Sequence, residues 1–140
     1  MPEAALTADD RDRIKNLGEV QWTEALVAGD IDRVIGLCTD DIVYMPADHP
    51  ALRGQAEFRQ WLSVFPKVVR MRQPMHSIEG GGGEAMAEAT FDVTLDLDGQ
   101  QVESRGKALC RLRKDAAGQW RVKSVCWNFD QPLGPPPPRP

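Results

Sequence analysis

The sequence predicts an α+β domain, with helices gathered first and an antiparallel sheet after them. Three observations predict it. Apolar residues recur at i, i+3, i+4 and i+7 only before residue 66. The run Met86–Leu97 alternates well, apolar and polar residues taking turns from Ala87 onward. Two hairpin signals, Asp98-Gly99 and Lys114–Gly118, separate the later apolar runs. Helices preceding an antiparallel meander pack on one of its faces. The length of 140 residues fits one domain, placed at 1–131. Six of the eleven prolines fall in 132–140, so that stretch reads as an extended or disordered tail.

The elements follow in order. Residues 8–28 read as a helix with Asp9 and Asp10 near its first turn, where the dipole favours anions. Ile14, Leu17, Trp22, Ala25 and Leu26 share one broad face. Gly29 stops this helix and Asp30 caps a short second one carrying Ile31, Val34, Ile35 and Cys38. Thr39-Asp40-Asp41 reads as a turn, 42–45 as a strand and 46–54 as a loop. Gly54 opens a third helix bearing Phe58, Trp61, Leu62 and Phe65, and Pro66 ends it. Strands are expected over 68–78, 86–97, 102–113 and 120–130, with Gly80–Gly83 as a flexible turn.

Composition narrows the function. A net charge of −4 and the lack of a basic cluster speak against nucleic acid or an anionic membrane as partner. Cys38, Cys110 and Cys126 lie in apolar patterns without CxxC spacing, and read as buried thiols rather than a disulfide framework or zinc site. His49 and His76 lack a supporting ligand set, so no metal and no cofactor are expected. The N-terminal sequence has no secretory pattern and no run reaches membrane-spanning length, which makes the cytoplasm the expected compartment.

Four strings carry a resemblance: Trp22-x6-Gly29-Asp30-Ile31-Asp32, Thr39-Asp40-Asp41-Ile42-Val43-Tyr44, Gly54-x3-Phe58-Arg59-x-Trp61-Leu62, and Gly118-Gln119-Trp120-Arg121-Val122 running into Trp127-Asn128. In this order, over about residues 8–130, the chain resembles the NTF2-like superfamily, in its SnoaL-like and ketosteroid-isomerase-like branch. The resemblance implies a cone of three helices on a curved, mainly antiparallel sheet around an apolar pocket. It does not imply one activity, because that scaffold hosts isomerases, cyclases, dehydratases, hydrolases and non-catalytic binders. Ketosteroid isomerase uses a carboxylate base, a tyrosine and a protonated aspartic acid. By the resemblance these fall on Pro46, Trp22 and Ala108, so that mechanism does not transfer.

The resemblance also implies a pocket wall. Trp22, Trp61, Phe65, Ala108 and Trp127 are the expected ligand-binding residues, with Ile42, Tyr44, Gly106 and Cys110 inward by strand parity. The same parity turns Asn128 and Asp130 outward and Phe129 inward. Such a wall suits a small hydrophobic or aromatic molecule. The candidate catalytic residues are Asp48, His76 and Tyr44. Asp48 could act as a displaced base, or belong to an exposed Asp-His-Pro turn. His76 could titrate in the cavity, or sit on the sheet surface. Tyr44 could donate to a ligand, or be a half-buried strand tyrosine. Three functions stay open: cofactor-free proton transfer on an apolar ligand, binding without chemistry, and an interaction module. The polar row Glu88, Thr90, Asp92, Thr94 and Asp96 is compatible with a homodimer through the sheet. Asp48 and His76 both facing solvent would defeat the proton-transfer version that relies on them.

Overall fold

A computed structural model describes residues 4–133. Its elements are α1 (Ala8–Asn16), α2 (Trp22–Ala28), α3 (Ile31–Gly36), β1 (Cys38–Met45), β2 (Leu52–Arg53), α4 (Gly54–Val64), β3 (Lys67–Arg72), β4 (Met75–Gly81), β5 (Glu84–Leu97), β6 (Gln100–Lys114) and β7 (Trp120–Phe129). A π-helical turn, Leu17–Gln21, joins α1 to α2 without a break, so the four labels make three helical bodies. The expected α+β architecture is present.

Local chemistry sets the helix ends. Thr7 and Asp10 form a capping box at α1. The Asp10 carboxylate also accepts from Lys114 Nζ at 2.8 Å and from Trp120 Nε1 at 3.1 Å. Lys114, the largest influence, the Thr7 backbone and Trp120 together hold this carboxyl far below the usual range. The start of α1 is thereby tied to the β6–β7 hairpin. Gly29 ends α2 in the left-handed region at φ 67°, which a side chain would resist. Asp30 accepts from Arg33 N and caps α3.

The sheet is mixed, with strand order β2-β1-β7-β6-β5-β3 and with β4 also on β5. The β5–β6 hairpin turns at Asp98 (φ 53°) and Gly99 (φ 86°), the pair of positive angles a two-residue hairpin favours. Three details differ from expectation. The single strand expected over 68–78 is two strands that share one edge of β5 end to end, β4 along Glu84–Ala89 and β3 along Asp92–Asp96. They part at Gln73-Pro74, and proline has no N–H to continue a ladder. Thr39–Asp41 is a bulged part of β1 rather than a turn, with a register shift between Cys38 and Val43 against β7. β2, only two residues long, carried no readable pattern.

The helices cover the inner face of the sheet. Ile14, Leu17, Trp22, Ala25, Val34, Ile35, Ile42, Tyr44 and Phe58 form the main core with the inner residues of β5–β7. A second cluster centres on Val68, Phe91, Val93 and Leu95, with Leu133 half-buried against it. The rest of the expected tail, 134–140, lies outside the described residues. Cys38 is buried, and Cys110 is half-buried, as the apolar pattern predicted. Burial pushes the Cys38 thiol up to about 12 and the Cys110 thiol to about 11, so neither is a ready nucleophile. Cys126 departs from the pattern. It is exposed because β7 parity, set by Val125 and Trp127 inward, turns it to the outer face. No helix among the described residues is long and apolar enough to cross a membrane.

Candidate functional site

The inner face of the curved sheet and the helices do not close completely. Between them lies a cavity of about 60 Å³. Trp22 and Leu26 reach it from α2, Trp61 from α4, Phe65 from the position just past the end of α4, and Val68 and Met71 from β3. Tyr44 enters from β1, Phe91, Val93 and Leu95 from β5, Ala108 from β6, and Val125, Trp127 and Phe129 from β7. Register explains this convergence. Ala108 stands opposite Ala89 on one side and Trp127 on the other, and Tyr44 stands beside Val125. Residues two apart along each strand share the inner face.

The cavity is narrower than the expected large-walled pocket, because aromatic rings fill most of it. Phe65 stacks on Trp61 with centroids 4.5 Å apart, and Phe65, Phe91 and Phe129 all meet Trp127 edge-on. Tyr44 stacks on Phe58 at 4.1 Å and tilts against Trp61 at 5.0 Å. At about 10–15 Å³ per water, the remaining space holds roughly four to six waters. A larger guest requires side chains to move, and Trp61, Phe65 and Met71 are only half-buried.

Polar groups in the wall are few. The Trp127 indole Nε1–H donates to the Tyr44 hydroxyl oxygen at 2.7 Å. Burial first of all raises the Tyr44 phenol well above its ordinary value, against the opposing effect of that bond, so it stays protonated at neutral pH. Gln73 lines the cavity while its Nε2 donates to the Gly18 carbonyl at 2.9 Å. Gly18 lies in the π-helical turn, so that turn anchors one wall residue. Among the described residues, no carboxylate, imidazole or amine lines the cavity.

The structure brings Trp22, Tyr44, Trp61, Phe65, Ala108 and Trp127 together at the cavity. It does not bring Asp48 or His76 there. Asp48 is exposed in the loop after β1, with a positive φ of 56°, and the adjacent His49 imidazole lies 2.8 Å from the Pro50 carbonyl. His76 sits where the β4–β5 register shifts and is exposed on the outer face, its Nε2 2.6 Å from the Thr90 hydroxyl. The slip between Met75 and Ser77 turns Met75 inward and leaves His76 outside. The expected cavity-facing acid and base are therefore absent from the wall. Asn128 and Asp130 are exposed and Phe129 is inward, as strand parity predicted. Gln73 escaped the sequence reading because it lies at a strand break, where parity gives no signal. Among the described residues, no group of three or more His, Cys, Asp or Glu is placed to hold a metal ion.

Comparison with known proteins places this geometry. The chain is similar to a ketosteroid isomerase-like protein from Erwinia carotovora atroseptica, with 26% identity over 81% of this chain and 91% of that one, at a TM-score of 0.72. It is similar in fold to an NTF2-like protein from Novosphingobium aromaticivorans, at 16% identity, 89% and 85% coverage and a TM-score of 0.71. A protein of unknown function with a cystatin-like fold from Nostoc punctiforme superposes with a TM-score of 0.72, at 21% identity over 89% and 94% of the two chains. No curated protein matches the chain significantly in sequence. Residues 20–121, which hold nearly all the elements that build the cavity, match the SnoaL-like domain, and the chain belongs to that family, on an NTF2-like fold.

Proposed function

We propose that this protein binds a small, flat, largely apolar molecule in the cavity walled by Trp22, Tyr44, Trp61, Phe65, Ala108 and Trp127, and does so without proton-transfer chemistry of its own. The supporting observation is the wall itself. Its polar side-chain groups are the Tyr44 hydroxyl, the Gln73 amide and the indole N–H groups of Trp22, Trp61 and Trp127, and none exchanges a proton readily at neutral pH. The Erwinia relative's name suggests an isomerase. An isomerase of that kind needs a base in contact with the ligand, and Pro46 and Ala108 stand where the resemblance implies carboxyl groups. Asp48 and His76 do not supply one from their solvent-facing positions, so the proposal leaves them out.

The test is thermal unfolding with a benzene-sized probe, followed by mass spectrometry of the recovered compound. At a hundredfold excess over Kd the expected stabilisation is about 2.7 kcal/mol, and the probe returns unchanged. No shift at millimolar probe would remove the reading, and turnover would remove its non-catalytic part.

We further propose that two copies meet through the outer face of the sheet. Met45, Cys126 and Leu109 are register partners across β1, β7 and β6, and make an apolar row. Met86 lies close by on β5, and Met45, Met86 and Leu109 are 38%, 45% and 44% exposed. This row differs from the polar one expected, in which Thr94 is in fact buried. Large exposed apolar residues in one patch mark an association surface. Sedimentation at micromolar concentration should give a dimer for the native chain and a monomer for Leu109→Lys. A native monomer under those conditions rules the dimer out.

A further inference from the structure

The hydrogen bond between Trp127 and Tyr44 is directional, and that direction restricts what the cavity accepts. An indole nitrogen only donates. In the Tyr44–Trp127 pair, the phenol oxygen is therefore the acceptor, at 2.7 Å. Its own proton points elsewhere, and no described residue accepts it. Tyr44 is only 6% exposed. A buried O–H without an acceptor is disfavoured, and native structures contain few of them. The hydroxyl is also held in place. Its ring is stacked on the fully buried Phe58, and its partner Trp127 is braced edge-on by Phe65, Phe91 and Phe129. A donor fixed before the ligand arrives loses little freedom on binding.

We infer that the Tyr44 hydroxyl, oriented by Trp127, is a one-way donor that selects a neutral ligand presenting a hydrogen-bond acceptor, such as a carbonyl, ether or nitrile, over an isostere that presents only C–H. This rests on the binding role proposed above and specifies the chemistry of the ligand's inner end. The ligand is neutral because the wall offers no charged side chain to pair with an ionic one. It is otherwise apolar because rings and aliphatic groups surround the donor.

Benzonitrile and phenylacetylene test this, since they share a shape and only the first accepts a hydrogen bond well. Both are titrated by NMR into the native chain and into Tyr44→Phe. The native chain is expected to prefer benzonitrile roughly tenfold, the size of one good hydrogen bond. Tyr44→Phe should lose that preference, and a far-ultraviolet circular dichroism spectrum unchanged from that of the native chain shows that the variant is folded. The nitrile stretching band of bound benzonitrile should shift to higher wavenumber in the native chain alone. Equal affinities in the native chain, or a preference that survives in Tyr44→Phe, overturn the one-way donor and leave the apolar cavity standing. Failure of both compounds to bind overturns the cavity and the donor together.

Discussion

Phe58→Ala should lower the unfolding free energy by about 3–5 kcal/mol, the range for removing a buried aromatic ring. Phe58 is fully buried and joins two parts of the molecule. It sits on α4, within 6.1 Å of the Trp22 ring on α2, and stacks against Tyr44 on β1. Its loss opens a hole between helices and sheet that neighbouring rings fill only in part. Domains of this size hold only about 5–15 kcal/mol in total, so the variant should melt many degrees lower. The ring also holds Tyr44 in place, so the variant should lose benzonitrile selectivity along with stability. Urea unfolding with unchanged slope would report the stability term. A loss below about 1 kcal/mol would show that α4 is not fixed through this ring.

Gly106→Ala should cost about 1–3 kcal/mol, for the opposite reason. Gly106 stands opposite Phe91 on β5 and Phe129 on β7. A methyl group there would overlap the Asn128 carbonyl oxygen and the edge of the Phe91 ring. The carbonyl belongs to the β7 backbone and cannot swing aside cheaply. The ring can move, and a shift would change the cavity that it lines. The variant is therefore expected to unfold earlier and to bind phenylacetylene more weakly, measured by thermal melting and NMR titration. Unaltered melting and affinity would mean that the sheet absorbs the methyl elsewhere.

Strand parity carried most of the site. Once Trp127 faces inward, Phe129 must as well, and Asn128 and Asp130 must face out. Ala108 and Cys110 follow the same rule on β6. Parity failed where the chain breaks period. His76 sits at a register slip and Gln73 beside a proline, and no local pattern announces either irregularity. The helix at the N-terminal end shows a subtler case. On a regular helix of about 100° per residue, Ile14, Leu17, Trp22, Ala25 and Leu26 spread over roughly 180°. The π-helical turn adds about one residue of phase lag between Leu17 and Trp22 and narrows that stripe to roughly 100°. This is why Ile14, Leu17, Trp22 and Ala25 are all buried. The breadth of the apolar face was visible in the sequence, but the insertion that corrects it was not. Ring packing was equally hidden, since the space left between seven aromatic side chains depends on their tilts and not on their spacing.

The parallel ladder between β1 and β7 has a consequence for assembly during synthesis. Tyr44 and Trp127, which share the cavity's hydrogen bond, are 83 positions apart. A chain growing from its N-terminus makes α1 to α4 and β1 long before β7 exists to receive them. Until then one edge of β1 stays open, and Phe58, Tyr44 and Trp61 have no finished wall to pack against. Contacts of such long sequence separation must first overcome loop-closure entropy and generally form slowly. The hydrogen bond proposed to select the ligand thus comes into being only when the final strand arrives.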